Sequence, residues 1–223
     1  MAKPVLLATK VLDAGLRERI THAGLAYVGY NAIRIEAIPF EVPSPSSFVV
    51  LSSKNATNLV LKHVNWLQQT KVLCVGETSE ILLNENDVKP FKTAQNMAEL
   101  IDFIQKMDKK GSFLHFCGNR RLLLFSEKMT QWTCDFKEII VYHTKKVREV
   151  FNERPDAVLF FSPSGVESYE QHNDLSQSIC FCIGTTTAKA FKQKPKEIHV
   201  ANSPKTAHVV AKAIHYFKTQ QYA

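Results

Sequence analysis

Short apolar runs alternate along the chain with longer stretches whose apolar positions recur every three or four residues. The runs at 5–9, 48–51, 71–75, 113–117, 138–142, 157–161 and 179–183 predict strands. Most are apolar almost throughout, as strands covered by helices on both faces must be. The stretches at 13–23, 55–63, 77–84 and 96–105 predict helices. Leu16, Ile20 and Ala23 share one face of the first, and Met97, Leu100 and Ile104 one face of the last. Strand–helix alternation of this kind predicts an α/β fold with parallel sheets flanked by helices.

The pattern repeats. Ser53, which follows the second strand, matches Ser162 109 positions on, after the run 157–160. Val75-Gly76-Glu77-Thr78-Ser79 matches Ile183-Gly184-Thr185-Thr186-Thr187 at 108 positions, and Asn96–Leu100 matches 205–209 at 109. The opening strand corresponds to 114–118 at 109. Landmarks in one order at offsets of 108 or 109 predict a duplication, and the 223 residues suffice for two similar lobes of about 110 each. Pro39, Pro43 and Pro45 exclude helix across 39–46, making it the best linker candidate; the polar, basic stretch 142–149 holds the equivalent place in the second half.

Composition narrows the function classes. No run approaches the ~18 apolar residues of a membrane span, and the first residues lack the apolar core of a signal peptide. A cytoplasmic protein with no membrane partner is expected. The five cysteines include no Cys-x-x-Cys pair and no zinc spacing, so reduced buried thiols and no metal are expected. The formal charge of +7 fits either a solvated basic surface or an anionic small ligand. Lys and Arg are scattered and no RNA-binding motif occurs, so no nucleic-acid partner is expected. Neither a P-loop nor a Rossmann fingerprint is present, and no cofactor is expected.

Candidate chemistry gathers where strands hand over to helices. Ser52, Ser53, Asn55, Thr78 and Ser79 stand at such corners in the first half, and Ser162, Ser164, Thr185, Thr186 and Thr187 in the second. Such residues cap helices. The same corners, at the carboxyl ends of strands in an open α/β sheet, also bind carboxylates and phosphates. Gly76 and Gly184 would let backbone approach a ligand closely. Gly118-Asn119-Arg120-Arg121 follows a strand, and an arginine there suits a carboxylate, although Asn119 also reads as a cap. No Gly-x-Ser-x-Gly elbow surrounds Ser162. His115 and His143 read as structural. Tyr142, ending a strand at the second linker, reads either as packing or as a hydroxyl donor.

Phe160-Phe161-Ser162-Pro163-Ser164-Gly165-Val166, followed by Ile183-Gly184-Thr185-Thr186-Thr187-Ala188, resembles the uroporphyrinogen-III synthase family. That family typically shows Phe-Thr-Ser-Pro-Ser-Gly/Ala-Val and then Ile-Gly-Pro-Thr-Thr-Ala. Ser53-Lys54-Asn55-Ala56, Val75-Gly76-Glu77-Thr78, Gly118-Asn119-Arg120-Arg121 and Val141-Tyr142-His143-Thr144 resemble its other turns, so the likeness spans nearly the whole chain. Phe161 and Thr185 depart from the pattern, and Cys117 stands where an arginine often precedes the Gly-Asn loop.

The resemblance implies two lobes joined by a two-stranded linker with a cleft between them. One lobe would be 1–33 plus 148–223, the other 41–140, with connectors at 34–40 and 141–147. It implies a monomeric, cofactor-free lyase that cyclises hydroxymethylbilane, a linear tetrapyrrole polycarboxylate, to uroporphyrinogen III with inversion of ring D and loss of water. Tyr142 would donate to the leaving hydroxyl. Ser53, Asn55, Thr78, Ser79, Asn119, Arg120, Ser162, Ser164, Thr186 and Thr187 would bind substrate. The alternative on the same features is a non-enzymatic two-lobed protein that binds an anionic metabolite.

Overall fold

A computed structural model describes residues 3–44, 46–107, 111–121 and 123–220. Pro45, in the expected linker, lies outside the described residues. The chain divides into two compact units, residues 1–34 with 145–223, and residues 35–144.

Unit one is built on a sheet of five parallel strands in the order β2-β1-β9-β10-β11. These are β1 (Val5–Ala8), β2 (Ala26–Gly29), β9 (Ala157–Phe160), β10 (Ile179–Cys182) and β11 (Glu197–Val200). Helix α1 (Ala14–His22) starts where the Asp13 carboxylate accepts a bond from the Leu16 N–H at 2.9 Å. It packs Leu16 and Ile20 on one sheet face together with Val209, Val210 and Ala213 of α9 (Thr206–Gln220). The opposite face, carrying Leu7, Val158 and Phe160, is covered by Val166 and Tyr169 of α7 (Pro163–Tyr169). A short helix α8 (Thr185–Ala188) follows β10.

Unit two holds six strands in the order β3-β8-β7-β4-β5-β6. These are β3 (Ile33–Ala37), β4 (Phe48–Leu51), β5 (Lys71–Val75), β6 (Lys92–Ala94), β7 (Ser112–Gly118) and β8 (Asp135–Lys146). The last five in this order pair in parallel. One face packs Val49, Leu51, Leu114 and Phe116 against α2 (Lys54–Val60) and α4 (Glu77–Asn84); a single 3-10 turn, then α3 (Val64–Leu67), follow α2. The other packs Phe48, Val50, Leu73 and Phe113 against α5 (Met97–Lys106) and α6 (Leu124–Gln131). All four residues of β4 and of β9 are buried, which explains their unbroken apolar sequence. Burial of each such Val, Leu or Phe contributes about 1.5–3 kcal/mol.

The duplication is visible in the strand order. Unit two, read β8-β7-β4-β5-β6, repeats unit one with β7 in place of β1, β4 in place of β9 and β5 in place of β10. Ser53 and Ser162 both hold N-cap positions, as do Gly76 and Gly184. The two glycines differ, however. Gly76 has φ 86°, which favours glycine, whereas Gly184 at φ −169° is extended backbone open to any residue. Strands β2, β3, β6 and β11 escape the apolar-run reading because they are short or carry polar residues at the sheet edge. The expected strand 138–142 is the middle of a twelve-residue strand, β8, that continues through polar 142–146.

Candidate active site

Because β8, β7, β4, β5 and β6 run parallel, the segments that leave their carboxyl ends meet along one edge. The strand order reverses between β4 and β7, the position where open α/β sheets leave a crevice. A pocket of about 380 Å³ lies here, within the range of small-molecule sites. Ser52 and Ser53 enter it from the end of β4, Arg120 and Arg121 from the loop after β7, and Tyr142 from β8. Asn96 and Met97 close it from the start of α5.

Two hydrogen-bonded groups line this pocket. In the first, the Tyr142 phenol lies 2.9 Å from the Ser53 hydroxyl. Ser53 holds the N-cap position of α2, yet its side chain makes no capping bond. The ring of Tyr142 lies over the backbone of Gly118, where a Cβ would fall 2.3 Å from its Cζ. In the second, Ser52 Oγ is 2.9 Å from Nε2 of His115, whose Nδ1 is 3.0 Å from Oε1 of Glu138. Arg121 donates to Oε2 of Glu138 through Nε at 2.8 Å and through its terminal nitrogen.

This second group sits in a largely dry setting: the His115 side chain is 1% exposed and that of Glu138 13%. Burial by itself would raise the Glu138 carboxyl. The hydrogen bonds from His115 and Arg121 outweigh it and hold the group down at about 2. Glu138 is therefore ionised and only accepts, so Nδ1 of His115 carries a proton. In the neutral ring Nε2 then accepts from the Ser52 hydroxyl.

His115, Cys117 and Glu138 also bring one potential metal-ligand atom each within 4.8 Å of one another. Their electrostatics oppose a cation: the Arg121 guanidinium already occupies Glu138, and burial pushes the Cys117 thiol up to about 11, away from the thiolate that binds metal.

The family model for uroporphyrinogen-III synthase HemD matches residues 15–211. The chain belongs to the uroporphyrinogen-III synthase family. This family consists of cyclising lyases of haem biosynthesis, whose substrate is the tetrapyrrole hydroxymethylbilane. Among solved structures, the chain is similar to the uroporphyrinogen-III synthetase of Helicobacter pylori, at 17% identity and TM-score 0.72, over 96% of this chain and 100% of that one. It is also similar to a mutant uroporphyrinogen III synthase of the extremely thermophilic bacterium Thermus thermophilus, at 12% identity and TM-score 0.68, over 99% and 100%. These two likenesses concern the fold. No individual curated protein matches the chain.

Of the synthase residues expected from sequence, Ser53, Arg120 and Tyr142 line the pocket of unit two. Asn119 instead ties β7 to β8: its N–H donates to the Tyr142 carbonyl at 3.2 Å, and its Oδ1 accepts from the Thr144 N–H at 2.8 Å. Asn55 is half-buried in the first turn of α2, Thr78 is exposed, and Ser79 is buried on α4. In unit one, Ser162 Oγ accepts from the Gly165 N–H at 3.0 Å and is a helix cap. Ser164 is half-buried, Thr186 exposed and Thr187 buried. The pocket adds His115, Cys117, Arg121, Gln95, Asn96 and Met97. His115 and Glu138 escape sequence reading because what joins them is the β7–β8 register, which sets one opposite the other.

No helix among the described residues is long and apolar enough to cross a membrane.

Proposed function

We propose that the pocket of unit two holds the reacting end of hydroxymethylbilane and that Tyr142 donates a hydrogen bond to its leaving hydroxyl. The reading is carried by the Tyr142–Ser53 pair, whose two hydroxyls face a pocket that also presents Arg120 and Arg121. Departure of hydroxide needs a donor close to the oxygen, and ring closure needs the two ends of the chain held together. A phenol fixed by Ser53 and by the Gly118 backbone has a single orientation from which to donate. The arginines match the acetate and propionate groups of a pyrrole, and fixed dipoles stabilise the charge that develops as hydroxide leaves.

Asn55 and Thr78 in unit two, and Ser164 and Thr186 in unit one, are proposed to bind further carboxylates, on the support of their places at strand-to-helix corners. Residues 34–40 and 141–147 are proposed as the connectors, on the support that β3 and β8 are neighbours in the sheet. The working form is proposed to be a cytoplasmic monomer with no nucleic-acid partner. Five free cysteines suit a reducing compartment.

Freshly prepared hydroxymethylbilane tests the reading. The purified protein should convert it to the type III isomer. Type I product alone, the outcome of unassisted closure, would reject it.

A further inference from the structure

Ser52, His115 and Glu138 form an unbroken hydrogen-bonded chain whose free end opens into a pocket. Each link has the spacing that activates a serine: 2.9 Å from the hydroxyl to the imidazole and 3.0 Å from the imidazole to the carboxylate. The base is oriented as such a chain requires, with Nδ1 tied to an ionised carboxylate and Nε2 turned to the hydroxyl. Arg121 keeps Glu138 charged and fixed from its other side.

Unit one shows that the fold does not need this chain. At the duplicated positions it places Phe161 for Ser52 and, by strand register, Ala8 for His115, since Ala8 pairs with Leu159 as His115 pairs with Val50, and it builds the same strand-to-helix corner with Ser162 as the cap. The buried imidazole is therefore an addition to the repeat in unit two. It is 1% exposed there; its ring packs edge-on against Phe125 at 5.1 Å, and it also lines the pocket.

We propose that Ser52 is a nucleophilic serine and that unit two carries a second activity, acyl transfer from small carboxylic esters. The Ser52 proton passes to Nε2 of His115 as Oγ bonds to the ester carbonyl carbon. The carbon–oxygen bond to the alcohol then breaks, and the proton passes from Nε2 to the leaving oxygen. Water reverses these steps on the acyl-serine, releasing the carboxylic acid and returning the proton to Ser52. This activity uses the same pocket of unit two that is proposed to hold the tetrapyrrole, and its readout is separate from the isomer assay.

The test treats the full-length protein with p-nitrophenyl acetate and, separately, with a fluorophosphonate, and reads intact mass and modified peptide. One adduct is expected, on Ser52, absent from Ser52→Ala and formed about 100-fold more slowly in His115→Asn. No adduct above a heat-denatured control, an adduct on another residue, or an unchanged rate in His115→Asn would overturn the proposal. Because removal of a buried imidazole threatens folding, Ser52→Cys supplies a second measurement. Its new thiol, paired with His115, should react with iodoacetamide at pH 6 about tenfold faster or more than the half-buried native Cys134. Alkylation no faster than that of Cys134 would equally overturn it.

Discussion

Ser53 and Ser162 hold the same place in the two copies of the repeat, yet only Ser162 caps its helix. The Ser162 hydroxyl oxygen accepts from the Gly165 N–H, whereas the Ser53 hydroxyl turns away from α2 to meet the Tyr142 phenol at 2.9 Å. Duplication supplied two equivalent serines, and one of them has exchanged a stabilising role for a place in the pocket.

That exchange has an energetic signature. Ser162→Ala should cost about 1 kcal/mol of stability through the lost cap. Ser53→Ala should cost less than about 0.5 kcal/mol, because no cap is lost and the Tyr142 hydroxyl faces a pocket where water replaces its partner. Urea unfolding of the two variants beside the parent protein checks this. Equal losses would show that the Ser53 hydroxyl caps α2 after all.

Tyr142→Phe removes one oxygen and leaves the ring over Gly118. A donor to the leaving hydroxyl is worth roughly 100-fold or more in rate. Turnover of hydroxymethylbilane to the type III isomer should fall by about that factor, with little change in unfolding midpoint. Turnover equal to the parent's would remove Tyr142 from the chemistry and leave it a packing residue.

Gly118→Ala probes the same ring from beneath. A Cβ at this position would lie 2.3 Å from Cζ and 2.7 Å from the phenol oxygen of Tyr142, so the ring must move. Displacement of about 1 Å at a reacting group lowers rate by about 100-fold. The variant should resemble Tyr142→Phe in turnover and, unlike it, show an altered near-ultraviolet tyrosine signal. Unchanged turnover with a displaced ring would argue that the position of the phenol is immaterial.

Much of this arrangement is legible in the sequence, and the limit is physical. Buried strands such as Phe48–Leu51 and Ala157–Phe160 announce themselves as apolar runs, and the repeat offset aligns the corners that follow them. Caps such as Asp13 and Asn96 are local and follow from spacing. The contacts that shape the pocket are not local. Ser52 and His115 are 63 positions apart, and Ser53 and Tyr142 are 89 apart. The β4–β7 and β7–β8 registers bring them together, and one residue of slippage would turn His115 to the opposite sheet face. Nor does sequence distinguish a serine that caps from one that does not, as Ser53 and Ser162 show.

The buried charge of Glu138 makes stability depend on pH in a defined window. Its carboxyl is held at about 2 in the folded protein, against an ordinary value of 4.5. A carboxyl lowered on folding stabilises in full above the ordinary value, and that contribution is lost as pH falls through the lowered one. The loss should therefore run from about pH 4.5 down to about pH 2 and amount to a contribution on the order of 3 kcal/mol. Glu138→Gln should remove it. At pH 7 the variant should be less stable by a similar amount, because Arg121 loses its counter-ion and a partly buried guanidinium is left unpaired. Between pH 4.5 and 2 its stability should fall less steeply than that of the parent. Urea midpoints at pH 7, 4.5 and 3 measure both effects, and parallel curves for the two proteins would show that the carboxylate is not held by His115 and Arg121.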